Sequence, residues 1–311
     1  MNRRKLLHTS AALGLVSAIT SLEGFHLLAK ASAPKIKVDS DGAPPPPPSN
    51  PLVPPAHGSI PVAFPISDGA VIIDFCGPWE VFQDAAPLGG AGGFHLYTVA
   101  ETLKPIIASG GMQIVPRYTF ETAPAPKVIV IPAQQSNDAM LQWIRKSSKT
   151  TDVTMSVCTG AFVLASTGLL SGKSATTFHQ SYAEFEVQFP DIHLKRGARF
   201  VEEGNLATSG GLSSGIDLAF RVLERYYGRE AAERTAYNIE YQGKGWTNAD
   251  SNEMYAKPRA ASADGQPLCP VCGMDADRSL SSAYKGKTYY FCMRPHKQLF
   301  DTTPEKFANQ S

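Results

Sequence analysis

The chain has 311 residues, 43% of them hydrophobic, and its 29 Lys and Arg against 28 Asp and Glu give a formal charge of +1. That length accommodates one large domain and a small one, and the near-neutral balance excludes the basic surface that a nucleic-acid partner requires. The odd total of 5 cysteines argues against a full disulfide framework.

The chain opens as a targeting signal would. Arg3, Arg4, Lys5, Leu6 and Leu7 make a twin-arginine start, Ala11 to Ile19 is moderately apolar, and Ala31-Ser32-Ala33 offers a cleavage site. The apolar run is too short for a stable membrane-spanning helix; an amphipathic N-terminal helix or an uncleaved anchor is the alternative. Residues 1–33 are therefore expected to engage the twin-arginine export machinery, which carries folded proteins, and the mature protein is expected in the periplasm or at the outer cell surface. That compartment is oxidising. Residues 34–58 read as a linker, because Pro44 to Pro48 are consecutive and Pro51, Pro54 and Pro55 follow, a composition that favours extended polyproline II.

Over residues 59–243 strand and helix patterns alternate. Ile60 to Phe64 predicts a strand, Gly77 to Ala85 a helix, Phe94 to Ala100 a strand, and Lys127 to Ile131 a buried strand of β-branched residues. Asn137 to Lys149 predicts an amphipathic helix and Thr154 to Val157 a strand. Further helices are expected over Gln180 to Phe189 and Ser213 to Tyr227, with a hairpin over Phe200 to Thr208 around Gly204-Asn205. Such alternation builds an α/β fold whose mainly parallel sheet is covered on both faces and binds ligands at the C-terminal strand ends.

Two residues in this region ask for a chemical explanation. Cys158 sits where the strand pattern gives way, at Thr159-Gly160-Ala161, to an apolar run of helical period. A side chain on such a turn lies over the amides and positive end of the following helix, an environment that favours a thiolate and holds a developing oxyanion; a buried core cysteine is the alternative. Asp74 follows the aliphatic residues Val71, Ile72 and Ile73. A carboxylate there must be paired, cap a helix or be placed for use, and Pro78 in the expected first helical turn supports capping. Cys76 adds a second thiol near Asp74, as a small core residue, a redox group or a disulfide partner for Cys158.

Val157-Cys158-Thr159-Gly160-Ala161, Gly168-Leu169-Leu170-Ser171-Gly172-Lys173 and Ala175-Thr176-Thr177 resemble the nucleophile region of the DJ-1/PfpI family, a branch of the class I glutamine-amidotransferase-like superfamily, and its isonitrile hydratase-like members most of all. The resemblance implies a flavodoxin-like three-layer sandwich, a small-molecule substrate, no cofactor in this domain and a homodimer. It implies Cys158 as nucleophile and, from the run Asp74 to Phe82, Asp74 as general base or proton relay. In peptidase-like members a histidine follows the nucleophile; here Thr159 does, and a hydroxyl cannot take that proton near neutrality. Hydration or hydrolysis of a C–N or carbonyl compound, as in an isonitrile hydratase or a glyoxalase- or amidase-like hydrolase, is therefore expected rather than proteolysis. Thr159 and the amides of Thr159 and Gly160 are expected to orient substrate and hold the anion, unless Thr159 is a simple helix cap. Where the family often has Pro-Gly-Gly this chain has Pro132-Ala133-Gln134, so the Ala133 amide completes the oxyanion hole only at a backbone angle that suits a non-glycine residue. His179 stands one place after the histidine of the related Ala-Thr-Thr-His-Trp motif, as a pocket residue or a helix start. The run Ala207 to Asp217 matches the motif before the last large helix, with Asp217 structural. The helix-turn-helix module of AraC-like regulators is not expected, and DNA is set aside as a partner.

Residues 244–266 lose periodicity and read as a second linker, and 267–311 as a separate small unit. Cys269 and Cys272 form a tight knuckle, and Cys292 and His296 supply two more donors four residues apart, a set that suits tetrahedral closure on a soft or borderline ion. So small a unit has little core, which gives a metal an energetic reason to be present. Tyr284 to Cys292, and Phe300 ahead of Pro304 to Phe307, resemble a YHS (TRASH-like) domain. Zinc on Cys269, Cys272, Cys292 and His296 is expected, copper or another thiophilic ion is the alternative, and a Cys269–Cys272 disulfide is the competing arrangement. The sequence thus predicts an exported hydratase-like enzyme with an appended metal module. The alternative is a non-enzymatic redox or metal sensor or chaperone, in which Cys158 titrates oxidants or ligands.

Overall fold

A seven-stranded sheet with strand order β10-β11-β7-β6-β1-β2-β5 organises the protein in a computed structural model, whose described residues are 49–85, 92–259, 262 and 265–308. The expected signal over 1–33 and the Pro44–Pro48 run lie outside those residues. The chain runs β1 (Ile60–Pro65), α1 (Ile72–Gln83), β2 (Phe94–Ala100), the small hairpin β3 (Ile106–Ile107) and β4 (Gln113–Ile114), and β5 (Tyr118–Thr119). Next come β6 (Val128–Ile131), α2 (Asp138–Ser147), β7 (Val153–Ser156), α3 (Gly160–Ser166), β8 (Ser174–Ala175), α4 (Tyr182–Gln188) and β9 (His193–Leu194). The domain ends with β10 (Phe200–Glu203), β11 (Leu206–Ser209), α5 (Ser214–Tyr227) and α6 (Arg229–Asn238). All pairings in this sheet are parallel except β10 with β11.

Period-two alternation feeds two cores. Val62 and Phe64 of β1 and Val128 and Val130 of β6 face one side with Phe75, Phe82 and Phe220, whereas Ala63, Ile129 and Ile131 face the other with Trp143, Leu164 and Phe185. The three layers expected from the sequence are therefore present. From β1 the chain steps outward to β2 and later returns on the far side at β6, so the strand order reverses between β1 and β6. A crevice opens at such a reversal, beyond the C-terminal strand ends.

Helix α1 departs from the expected bounds. It begins at Ile72, not Gly77, so Pro78 lies in its interior and Asp74 in its first turn. Val71 occupies the N-cap position and the Ile72 N–H is taken by Ser109 Oγ at 3.1 Å. Asp74 is thus not a cap. The pattern was hidden because Pro78 counts as a helix breaker, while Phe75, Val81 and Phe82 bury enough surface to override it.

After α6 the chain makes two single turns, Gly245–Thr247 and Glu253–Tyr255. Trp246 from this segment is buried against Phe220, and Asn252 is also buried. Asp217, at the start of α5, is the anchor: its Oδ2 accepts from Arg199 Nε at 2.7 Å, and its Oδ1 accepts from the Tyr241 hydroxyl and the Trp246 amide, each at 3.0 Å. The small C-terminal unit is a hairpin, β12 (Asp277–Tyr284) and β13 (Lys287–Phe291), followed by α7 (Arg294–Thr302) and α8 (Pro304–Ala308). Its core of Val271, Phe291, Phe300 and Phe307 includes Ala183 from α4. No helix among the described residues is long and apolar enough to cross a membrane.

Removing Asp217 leaves the Arg199 guanidinium, 15% exposed, without its carboxylate. Asp217→Ala is expected to lower unfolding stability by about 3–5 kcal/mol in denaturant titrations; a loss near that of an exposed pair would show that the anchor carries no weight.

Candidate functional site

The turn between β7 and α3 holds Cys158 at φ 57, a left-handed backbone that a non-glycine residue adopts only when its surroundings impose it. Two contacts impose it here. The Cys158 N–H donates to the Gly210 carbonyl at 3.0 Å, and its carbonyl accepts from Thr177 Oγ1 at 3.0 Å. Gly160 then lets α3 pack directly on the end of β6, since a Cβ at that position would lie 2.3 Å from the Ile131 carbonyl oxygen. The Gly160 N–H is committed to the Val157 carbonyl at 2.9 Å. Gly160 therefore supplies room, not the anion-binding amide expected of it.

The sulfur is held by three donors: the Thr159 amide, the Thr159 hydroxyl and the Leu212 amide. Thr159 occupies the N-cap position of α3 without a capping side-chain bond, which leaves its hydroxyl for the sulfur. Cys158 is 6% exposed, and burial pushes its thiol up to about 12, with the Asp74 charge adding to the rise and the three donors opposing it. The resting side chain is a neutral thiol, which corrects the expectation of a thiolate. Helix-end and amide donors are present, but desolvation outweighs them.

Asp74, in the first turn of α1, lies close enough for its charge to raise this thiol. It is fully buried, its Oδ2 accepts from the Ala133 amide at 3.0 Å, and its Oδ1 has no partner. Burial raises its carboxyl to about 6 against the pull of the Ala133 hydrogen bond. At neutral pH it is a carboxylate with one oxygen clamped and one open. The Ala133 amide is thus spent on Asp74 and does not complete an oxyanion hole; with φ outside the left-handed region, alanine is tolerated there. Gln134 has its own role: Oε1 accepts from Ser67 N and Oγ, and Nε2 donates to the Pro65 carbonyl, tying the loops after β6 and β1 together.

His179 opens a single 3₁₀ turn, His179–Ser181, before α4, stacks on Tyr255 with ring centroids 4.8 Å apart, and lies against Phe178. Burial holds its pKa down, so it is uncharged at neutral pH. Cys76 is half-buried on α1, and all five cysteines are free thiols, so neither the Cys76–Cys158 nor the Cys269–Cys272 bridge is formed. Leu212 (φ 45) and Thr177 had no assigned role in the sequence reading. The Gly210-Gly211 pair and the second threonine of Thr176-Thr177 were the available signals.

In the C-terminal unit the donor atoms of Cys269, Cys272, Cys292 and His296 all lie within 4.8 Å of one another. Cys292 Sγ is 3.3 Å from His296 Nδ1, Cys269 Sγ is 3.6 Å from the same nitrogen, and Cys272 Sγ is 3.5 Å from Cys292 Sγ. A tetrahedron with zinc–sulfur and zinc–nitrogen bonds has edges of roughly 3.5–3.8 Å, so the four donors fit one such ion. Hydrogen bonds with Cys272 and Cys292 hold the Cys269 thiol well below the ordinary range, and the shared protons drive Cys272 well above it. Metal uptake by such a cluster releases protons.

A DJ-1/PfpI family model matches residues 61–225 and a YHS domain model residues 269–311. Isonitrile hydratase of Pseudomonas putida is 33% identical over 175 residues, 54% of this chain and 73% of that enzyme. An HTH-type transcriptional regulator of Pseudomonas aeruginosa is 26% identical over 156 residues, 47% of this chain and 46% of the regulator. Among solved structures, a THiJ/PfpI family protein from Pseudomonas syringae has a TM-score of 0.54 at 24% identity, with 70% of this chain and 85% of that one covered.

The open Asp74 oxygen and the high thiol make opposite predictions for Asp74→Asn. If Asp74 takes the Cys158 proton, alkylation of Cys158 by iodoacetamide at pH 7 falls by roughly a hundredfold or more in the variant; if Asp74 merely repels the thiolate, alkylation speeds up. Stability moves the other way. Ionising a carboxyl whose folded pKa is raised from 3.8 to about 6 destabilises the wild type as pH rises through that window, by up to about 3 kcal/mol. Asp74→Asn is expected to unfold at higher temperature than wild type at pH 7, with the difference closing by pH 4.

Proposed function

This chain belongs to the DJ-1/PfpI family, and from that premise we propose that it is an exported cysteine-nucleophile enzyme that hydrates an isonitrile or hydrolyses a related small C–N or carbonyl compound. The observation that carries the reading is the pairing of a left-handed, donor-held Cys158 with a buried Asp74 whose second oxygen is open. Neither feature serves packing; each costs stability.

The reaction follows from the two protonation states. Asp74 Oδ1 takes the Cys158 proton as the sulfur attacks the terminal carbon of R–N≡C, forming the C–S bond. The same carboxyl returns the proton to that carbon, leaving a thioimidate, R–N=CH–S–Cys158. Water then adds to the carbon, with one proton taken by Asp74 and delivered to nitrogen. Collapse of the tetrahedral adduct breaks C–S, restores the thiol and releases the formamide R–NH–CHO; the net addition is one water. The Thr159 hydroxyl and the Thr159 and Leu212 amides stabilise the sulfur anion as it forms and leaves.

The C-terminal cluster is proposed to hold zinc on Cys269, Cys272, Cys292 and His296, with copper the other candidate. Four protein donors close a tetrahedral shell, so the ion would supply structure to a unit with little core. A second reading, a thiol sensor without turnover, is favoured by the slight exposure of Cys158 and by the regulator among its relatives.

Purified protein incubated with a panel of alkyl and aryl isonitriles is expected to yield N-substituted formamides, and Cys158→Ala to yield none while keeping its metal content. No formamide and no Cys158 adduct across the panel sinks the enzyme reading and leaves the sensor. Elemental analysis is expected to find one equivalent of metal per chain, and Cys272→Ser to lose it.

A further inference from the structure

We infer that the cavity between the His179 turn and the Glu253–Tyr255 turn receives the substituent of the electrophile, and that it selects a neutral substituent of one planar ring. The inference deepens the enzyme reading above and rests on it. The cavity measures about 180 Å³, is walled by Phe178, His179 and Tyr255, and has Leu212 at its edge. Leu212 is also the residue whose amide holds the Cys158 sulfur, so the cavity begins one residue from the reacting atom. Phe178 is seated on the same loop: a Cβ on Gly211 would come within 2.4 Å of its ring.

Size and charge set the ligand class. A cavity of about 150 Å³ admits benzene, so the size of this one, about 180 Å³, suits a six-membered ring with a short link toward Leu212. The amide and guanidinium of its lining are already engaged: Asn252 Nδ2 donates to Ser214 Oγ, Asn252 Oδ1 accepts from Arg199, and Arg199 is neutralised by Asp217. A charged substituent finds no unpaired charge there, whereas a ring finds the rings of Phe178, His179 and Tyr255. Tyr255 and Asn252 lie beyond the residues 61–225 that the family model matches. Tyr255 is 40% exposed, and its removal opens the cavity without touching the core.

The test reads selectivity at Cys158 and needs no turnover. Full-length protein is treated with N-methyl-, N-phenyl- and N-(1-naphthyl)maleimide, the rate of Cys158 modification is followed by peptide mass spectrometry, and each rate is divided by that of free cysteine. Wild type is expected to prefer the phenyl probe over both others by roughly tenfold. Tyr255→Ala is expected to bring the phenyl-to-methyl ratio close to one, Tyr255→Phe to keep it, and Tyr255→Trp, which narrows the cavity, to lose the phenyl probe selectively. Labelling with the same phenyl-to-methyl ratio in wild type and Tyr255→Ala overturns the pocket and spares the nucleophile. Failure of every probe to label Cys158 overturns both.

Discussion

A hydrogen bond from the Ala133 amide to Asp74 Oδ2 holds a fully buried carboxyl in place. A carboxylate without solvent exposure is expensive to ionise, and one backbone donor offsets only part of that, which is why the group rests near pH 6 and not in the usual carboxylate range. The same bond aims the other oxygen away from Ala133. The clamp and the open oxygen come from different chain segments, α1 after β1 and the loop after β6, and they meet because the strand order reverses between those strands. Gln134 secures the meeting by bonding both loops.

The elbow at Cys158 stores strain that other parts of the fold must balance. Its amide and carbonyl are pinned from two directions, by Gly210 after β11 and by Thr177 after β8. Gly215 allows α5 to close beneath it, since a Cβ there would lie 2.6 Å from Val157. The thiol is buried enough to stay protonated, and Asp74 raises it further. That repulsion means that the two anions do not coexist comfortably.

The layered fold, the elbow and the Cys3His donor cluster were legible in the sequence because each rests on local pattern: period-two strands, a glycine soon after Cys158, and paired donors at short spacing. Three site assignments failed for a common reason. The Gly160 amide was assigned from its place after Cys158 and the Ala133 amide, conditionally, from the family resemblance, but whether an N–H is free depends on which carbonyl or carboxylate lies opposite, and Val157 and Asp74 are set there by packing. The thiolate was inferred from helix-end donors, which are local, whereas the desolvation that defeats them is global. Leu212 was invisible because its contribution is a backbone amide, which leaves no trace in residue type. Trp246 and Asn252 sit in a stretch without periodicity, and their burial follows from Asp217 and Arg199 reaching out to them.

The C-terminal unit shows how a small module acquires a core. Its phenylalanines cluster on one side of the hairpin, and Ala183 of α4 completes the cluster. Glu186 on the same helix pairs with Lys306 at 3.7 Å and with Arg196; such half-exposed pairs add little energy, so the apolar contact and the four donors must supply most of the hold. Helix α4 is therefore shared: the 3₁₀ turn that leads into it carries His179 at the wall of the cavity beside Leu212, and its Ala183 joins the core that includes Cys269 and Cys272. A helix of two turns cannot be remodelled at one end while staying packed at the other. The geometry of the cavity wall and the integrity of the donor cluster are for that reason parts of one packing problem, solved once by the sequence Tyr182 to Gln188.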